Sequence, residues 1–464
     1  MPVDPRLAFA SIRTLGKKLR GGEFSSVELT EFFLKRSEKL GPKFNAVVTL
    51  TRELALKQAK QADADLKRGK DRGPLHGIPF GVKDLLATKG IRTTWGAAPF
   101  KDQIIDGNAT VVRALRNAGA VLIAKLAMVE IAGGLGYRQA NASFTGPGLN
   151  PWDAKRWSGG SSSGPGSAVG AGIVPFAIGS ETWGSIVTPA AMCGITGLRP
   201  TYGRVSRHGA MSLSWTMDKL GPMCRTADDC GLVLNAIAGP DPLDATSAGR
   251  PYAYPETRPP KPPFKLAVLK GAADKVQPEV KANFEKSLAV LRTFASVEET
   301  ELPDFPGNTV ASTIVSCELA AAFGPLVKSG DIWEMTAKED HWGIYSSLII
   351  PAVDYINAMR IRAKMQVAYD KWLARYDAVV TPTLATVAYP NDKNWSDYRR
   401  DYRSTDIGGA GNVTGIPAIS VPNGFGESGL PTALQFVGRA FEENRLIAIA
   451  GAYQSKTDWH NKHP

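Results

Sequence analysis

Two turns rich in glycine and serine flank an apolar run near the middle of this chain. The first turn reads Ser158-Gly159-Gly160-Ser161-Ser162-Ser163-Gly164, and the apolar run extends from Ala168 to Ile178. The second turn contains Gly184 and Ser185. A flexible linker does not lead directly into a segment that must pack in a core, and a phosphate-binding loop would need Gly-Lys-Ser/Thr after its glycines. The pattern therefore predicts serine-bearing turns that are attached to a packed core.

Helical and extended patterns alternate along most of the 464 residues. A capping box, Ser25 to Glu28, predicts a helix through about Lys39 that ends at Gly41-Pro42. Apolar periodicity predicts further helices at 52–68, 108–116, 278–294, 311–328 and 353–375, and strands at 78–83, 120–124, 264–269, 378–381 and 418–421. Such alternation favours an α/β fold, with helices on both faces of a central sheet.

A proline-rich segment at 251–264 interrupts this alternation. It predicts a stiff, exposed connector, and a boundary between two independent domains is the alternative. Because the sheet needs strands from both sides of the segment, we expect residues 1–464 to form a single domain.

The remaining composition narrows the classes of function. Four cysteines without a CxxC pair indicate reduced thiols and a cytoplasmic location. The histidines do not cluster at metal spacings, so we expect neither a metal nor a cofactor. The sequence contains no uninterrupted apolar run of about 18 residues, so we predict no membrane span.

The net charge of +11 is spread widely, with its densest patch at Arg399, Arg400 and Arg403. We interpret that patch as a solvated surface and expect no nucleic acid partner.

Ser185 and Lys83 are the residues whose context points to chemistry. Thr188-Pro189 is typical of a helix start, so Ser185 should lie on a tight turn just before a helix. The backbone N–H groups of residues 182–185 could then stabilise a developing oxyanion. Lys83 ends an apolar strand, where it either extends to the surface or is buried as a neutral amine able to accept a proton. The second case needs its pKa lowered by about three units.

Together these motifs resemble the amidase signature family. The resemblance covers residues 25–240 strongly and 375–450 moderately, and Ser161 and Ser185 show the family's spacing of 24 residues. Its motifs are Gly77 to Asp84, the two serine turns, Cys193 to Ser206, Asp218 to Pro222, Thr381 to Thr383, Asn412 to Ala418 and Gly429 to Pro431. The resemblance implies one amidase domain, with a signature core (25–240), a variable substrate or lid region (241–370) and a C-terminal part of the core (371–455).

The resemblance also implies roles for individual residues. Ser185 would be the nucleophile, and Ser161, preceded by a cis peptide bond, would relay protons to Lys83. The backbone of Thr182, Trp183, Gly184 and Ser185 would form the oxyanion hole. The implied activity is hydrolysis of C–N bonds in small-molecule amides or carbamates, as in amidases and urethanases, by a monomer or homodimer. An acyl- or carbamoyl-enzyme would be the intermediate.

Two positions depart from the family pattern. Trp183 replaces a glycine, and it would be strained if the backbone there needed a positive φ; we expect its indole to form a pocket wall instead. Pro165 also replaces a glycine and removes one N–H.

Several alternatives remain open at this point. The first is the glutamine-hydrolysing component of a tRNA-dependent amidotransferase, its A subunit, which would need partner subunits and a charged pocket for glutamine. A non-catalytic basic binding protein and a Ser-His-Asp hydrolase are less favoured. Apolar residues of the unmatched region are either ordinary packing or the lining of a pocket or lid for an apolar substrate; they are Phe323, Trp333, Met335, Trp342, Tyr345, Leu348 and Ile349.

Overall fold

The computed structural model describes residues 3–405 and 407–464, apart from the side chain of Glu427. Its strands are β1 (Val47–Leu50), β2 (Pro79–Lys83), β3 (Val121–Leu126), β4 (Ala177–Glu181), β5 (Thr196–Arg199), β6 (Lys219–Cys224), β7 (Phe264–Leu269), β8 (Ala295–Thr300), β9 (Ala378–Pro382), β10 (Ala418–Phe425) and β11 (Pro431–Val437). Its helices are α1 (Ile12–Arg20), α2 (Ser26–Phe44), α3 (Arg52–Lys67), α4 (Thr110–Asn117), α5 (Ser163–Gly170), α6 (Val187–Cys193), α7 (Ala227–Ile237), α8 (Pro278–Leu291), α9 (Gly307–Ser329), α10 (Asp340–Ser347), α11 (Ala352–Leu373), α12 (Trp395–Tyr398), α13 (Ile407–Thr414) and α14 (Glu443–Gln454).

The described strands form one mixed sheet of eleven, in the order β1-β3-β2-β4-β6-β5-β10-β11-β9-β7-β8. The strands β2, β3 and β4 run parallel, as do β7, β8 and β9, whereas the centre of the sheet is antiparallel. The segment 251–264 is mostly exposed and irregular, and strands from both sides of it enter this sheet. The α/β fold class expected from the alternating patterns is confirmed. The division of the chain into domains stays a prediction.

Alternate residues of the central strands enter two different hydrophobic cores. In β9, Ala378 and Val380 pack into a large core with α8 and α14, while Val379 between them packs with α11 and α13 on the other face. This period of two is what a sheet buried on both faces requires. Helices therefore cover both faces of the sheet.

Several predicted element ends were wrong, and two of them are instructive. Helix α2 continues through Pro42 to Phe44 and ends at Asn45, which adopts the left-handed conformation with a φ of 48°. Helix α6 begins at Val187, not after Thr188. The carboxylate of Glu181 accepts hydrogen bonds from the N–H groups of Ile186 (2.9 Å) and Val187 (3.1 Å), so a residue of β4 satisfies the helix start.

Helix α9 is long and apolar enough to cross a membrane, by length and composition alone. Charged and polar residues interrupt it, so the sequence shows no uninterrupted apolar run there. Half of its apolar window is buried in this fold. Its Glu318 accepts hydrogen bonds from Thr216, at 3.1 Å from the backbone and 2.8 Å from the hydroxyl. Core helices commonly have the same length and composition.

Candidate active site

The site forms where the parallel strands β2 and β4 end side by side. Gly81 and Val82 of β2 pair with Ala177 and Ile178 of β4, so the carboxyl ends of both strands lie at one edge of the sheet. Lys83 is the last residue of β2, and the loop 182–185 follows β4 directly. The fold thus brings together two motifs that are about 100 residues apart in the sequence.

Lys83 is completely buried, with none of its surface exposed. Its Nζ lies 2.7 Å from Ser161 Oγ and 2.9 Å from Ser180 Oγ. Burial lowers the pKa of Lys83 to about 7, although the nearby carboxylates of Asp218 and Glu181 act in the opposite direction. Of the two interpretations of Lys83, the structure supports the buried one, and near neutral pH its amine is partly uncharged.

The neighbouring Asp84 does not pair with Lys83. Its carboxylate lies 3.0 Å from the Nζ of Lys125 and accepts hydrogen bonds from the backbone and hydroxyl of Thr94. Successive side chains of an extended segment point to opposite sides, which separates Lys83 from Asp84.

Ser161 follows a cis peptide bond from Gly160, as the resemblance implied. Its hydroxyl contacts Lys83, and its carbonyl accepts a hydrogen bond of 3.1 Å from the N–H of Val129. The N–H of Ser162 donates to the carbonyl of Ser185 at 3.3 Å, so the two serine turns lie side by side. Within residues 3–405 and 407–464, no hydrogen bond joins the hydroxyls of Ser161 and Ser185. The structure therefore contains the lysine–serine contact, and the step from Ser161 to Ser185 stays a prediction.

The loop after β4 carries backbone donors without partners. In the described part of the chain, nothing accepts a hydrogen bond from the N–H groups of Trp183, Gly184 and Ser185. Gly184 has a φ of 91°, a conformation that favours glycine. Trp183 is not among the residues with a positive φ, so the strain considered for it does not arise. Its indole is 40% exposed, lines the cavity and lies against Gly409 of α13, as the pocket-wall interpretation expected.

Buried carboxylates hold this loop in place. Besides capping α6, Glu181 forms an ion pair of 2.8 Å with Arg199; burial raises its pKa, but Arg199 and Lys219 outweigh this and lower it overall. Asp218 accepts hydrogen bonds from the N–H groups of Leu213 (2.8 Å) and Ser214 (3.0 Å) and from the hydroxyl of Thr182. Ser180, Glu181 and the contact between Asp218 and Thr182 were not singled out as functional by the sequence.

Ser185 lines a cavity of about 810 Å³. Other lining residues come from the loop 182–185, from the turn at 132–134 and from segments after residue 383. Three arginines of the latter segments reach it: Arg399, Arg400 and Arg403. These are the residues of the basic patch interpreted as a solvated surface. The signal was visible in the sequence, but nothing in it indicated that this patch meets Ser185.

Of the two interpretations of the apolar residues in the unmatched region, the pocket lining is not found at this cavity. Phe323 and Met335 are buried in the main core. The other five residues are exposed to solvent: Trp333, Trp342, Tyr345, Leu348 and Ile349. From the region 311–370, Val315 is the only described residue that lines the cavity. Ordinary packing and surface exposure therefore describe these residues better than a substrate pocket does.

Comparisons with known proteins agree on one family. The family model described as Amidase matches residues 28–447. The chain is 38% identical to the A subunit of the glutamyl-tRNA(Gln) amidotransferase of Moorella thermoacetica, over 99% of both proteins. Among solved structures it resembles the native peptide amidase of Stenotrophomonas maltophilia, with a TM-score of 0.84, 29% identity and 97% of each chain covered. It also resembles the A subunit of the glutamyl-tRNA(Gln) amidotransferase of Thermotoga maritima, with a TM-score of 0.81, 27% identity, and 100% and 99% covered. The chain therefore belongs to the amidase signature family of enzymes that act on amide C–N bonds.

Proposed function

We propose that this protein is a serine hydrolase that cleaves the C–N bond of small-molecule amides or carbamates through Ser185. The observation that carries the proposal is the contact of 2.7 Å between the buried amine of Lys83 and the hydroxyl of Ser161, next to the turn that holds Ser185. A lysine with a pKa near 7 can act as a general base at neutral pH, so no histidine is needed.

In the proposed reaction, Ser185 Oγ attacks the substrate carbonyl and transfers its proton to Ser161, while Ser161 transfers its own proton to Lys83. The carbonyl oxygen becomes an oxyanion that accepts hydrogen bonds from the N–H groups of the loop 182–185. Lys83 then returns the proton through Ser161 to the nitrogen as the C–N bond breaks, and the amine leaves. Water attacks the acyl-enzyme, which carries an alkoxycarbonyl group on Ser185 when the substrate is a carbamate, with the same proton relay and releases the carboxylic acid or the carbonic monoester and free Ser185.

A panel of substrates tests the proposed activity. The isolated protein would be assayed with an aryl amide, an aryl carbamate, a nitrophenyl ester and glutamine. We expect release of the aryl amine from the amide or the carbamate. Ser185→Ala should lower that rate by at least about 1,000-fold, as for other nucleophile losses. Hydrolysis by Ser185→Ala at the wild-type rate would refute the nucleophile assignment.

The role of Lys83 has a separate test. An amine is a poorer leaving group than an aryloxide and must be protonated as it departs. We therefore expect Lys83→Ala to lose more activity on the aryl amide than on the nitrophenyl ester. Equal losses of activity on both substrates would contradict the role of Lys83 as the acid that protonates the leaving amine.

Glutamine hydrolysis is the second candidate. It is favoured by the full-length similarity to proteins named as the A subunit of glutamyl-tRNA(Gln) amidotransferase. Such a role would involve partner subunits, whereas hydrolysis of small-molecule amides needs at most a homodimer. Glutaminase activity that appears only when amidotransferase partner subunits are added, without hydrolysis of aryl amides or carbamates, would favour this candidate. The cytoplasmic location remains a prediction in either case.

A further inference from the structure

The wall of the cavity that contains Ser185 includes a short arginine-rich segment. Arg399, Arg400 and Arg403 line the cavity, as do Ser404 and Thr405 after them. Among the described lining residues no carboxylate is present, and the fourth arginine, Arg199, is already paired with Glu181. The described wall therefore carries three positive charges.

The backbone of this segment is anchored to the fold at both ends. On one side, Trp395 stacks on Trp157, with ring centroids 4.2 Å apart. On the other, the N–H of Arg403 donates to the carbonyl of Lys275 at 2.7 Å, and Tyr402 packs against Val276 and Val280. The arginines therefore extend from a positioned backbone, although their side chains are exposed.

The contacts of the three guanidinium groups leave them able to bind an anion. Arg399 lies over the ring of Tyr389, 5.8 Å from its centroid. Arg400 pairs with Asp397 at 3.3 Å, but both side chains are largely exposed, and such pairs break readily in water. Within the described residues, no carboxylate contacts the guanidinium of Arg403. A guanidinium presents two parallel donors that match a carboxylate.

We propose that Arg399, Arg400 and Arg403 select substrates that carry a carboxylate away from the scissile bond. This inference rests on the proposed hydrolysis at Ser185. One cavity would then hold the reacting carbonyl at the loop 182–185 and the remote carboxylate at the arginine segment. Its volume of about 810 Å³ lies in the range for small-molecule sites and accommodates both groups of one substrate.

Two matched substrate pairs test the selection. In the first, the charge is on the acyl side: the 4-nitroanilide of glutaric acid is compared with that of pentanoic acid. In the second it is on the amine side: N-acetyl-4-aminobenzoate is compared with N-acetyl-4-aminoacetophenone. We expect kcat/KM to be at least about tenfold higher for the anionic member of one pair. The preference should shrink between 20 mM and 500 mM NaCl, because salt screens exposed charges.

The triple variant Arg399→Gln/Arg400→Gln/Arg403→Gln should lose this preference and still cleave the neutral members within about twofold of the wild-type rate. Arg292→Gln, at an exposed arginine after α8, is the matched control and should keep the preference. No preference in either pair, or a preference that the triple variant retains, would overturn the inference.

A binding measurement separates this inference from the proposed reaction. Calorimetry on Ser185→Ala protein would compare the affinities for the two members of each pair, with and without the triple substitution. If no substrate is cleaved but an anionic member binds at least about tenfold more tightly through the arginines, the reaction proposal fails and the inference stands. If the neutral members are cleaved and anions gain nothing in rate or affinity, the reaction proposal stands and the inference fails.

Discussion

At the scale of single residues, the environment of Lys83 sets the pH range in which the proposed reaction can proceed. The side chain is buried, and its nearest polar atoms are the hydroxyl oxygens of Ser161 and Ser180. Hydroxyl groups stabilise an ammonium less than water does, so burial dominates and the pKa falls to about 7. The amine is therefore mostly protonated below pH 7 and mostly neutral above it.

This predicts the direction of the pH profile. We expect kcat/KM for an aryl amide to rise with pH through an apparent pKa near 7 and then level off, since only the neutral amine accepts a proton. The measurement is a set of initial rates between pH 5 and 10, in which Lys83→Ala should show no step near pH 7. A wild-type profile that stays flat from pH 6 to 9 would contradict the assignment of Lys83 as the base.

At the scale of elements, β4 and α6 are coupled through Glu181. One carboxylate accepts two N–H groups at the start of α6 and pairs with the buried Arg199. The loop 182–185 lies between these two elements. The geometry of this loop therefore depends on Glu181, which is not among the described residues that line the cavity.

Glu181→Gln tests this coupling. Glutamine keeps an oxygen for the N–H groups but leaves the charge of Arg199 buried and uncompensated. We expect the free energy of unfolding, from urea titration, to fall by about 3 kcal/mol. The control is Glu285→Gln at an exposed position of α8, which should change it by less than about 0.5 kcal/mol. An equal effect of both substitutions would contradict the role given to Glu181.

A second coupling joins α10 to the cavity wall. Glu130 accepts hydrogen bonds of 2.8 Å from the N–H groups of both Thr336 and Ala337, and Asp340 at the start of α10 is buried close to it. Glu130 begins the turn that continues through Ile131 and Ala132, both with positive φ, to the wall residues of the cavity. Burial, together with the hydrogen bond and charge of Glu130, raises the pKa of Asp340 to about 9.

The sign of the resulting pH effect follows from proton binding. Between its ordinary value of 3.8 and about 9, the folded protein holds a proton on Asp340 that the unfolded chain has released. Stability from this group is fully present below the lower value and is lost as pH rises towards 9. We expect Asp340→Asn, which cannot ionise, to gain stability relative to wild type between pH 5 and pH 9, measured by urea unfolding. A constant difference across that range would contradict the prediction.

Local patterns predicted about half of the described helices and strands, and long-range contacts explain several of the misses. Strand β7 matched its prediction at both ends, because its apolar run is bounded by proline and glycine. The start of α6 was missed because its cap is the side chain of Glu181, which belongs to the preceding strand. Lys83, Ser161 and Ser185 were predicted from motifs, and their roles stay predictions. The arginine wall was not predicted, because no local signal tells which surface a distant segment will face.

At the scale of the whole molecule, the proline-rich connector divides the sheet into two parts. Strands β1–β6 precede it and β7–β11 follow it, and the two parts meet where β5 pairs with β10. Each part alone would expose an unpaired strand edge and apolar core residues that the other part covers. The two parts should therefore be stable only together.

A chain break between Glu256 and Thr257 tests this dependence. We expect fragments 1–256 and 257–464 to copurify when they are expressed together and to retain amide hydrolysis, whereas each alone should aggregate. The control is a break between Leu232 and Val233, inside the buried helix α7, which should yield no active complex. Soluble, folded single fragments would contradict the prediction.

The connector has a consequence for how new specificities could be obtained. Lys83, Ser161 and Ser185 all precede it, whereas the arginine wall follows it. Under the two proposals made above, reactivity and selectivity are thus encoded in separate stretches of the gene. Mutant libraries or grafted loops confined to residues 391–405 would vary the choice of substrate while the machinery that breaks the bond is inherited unchanged.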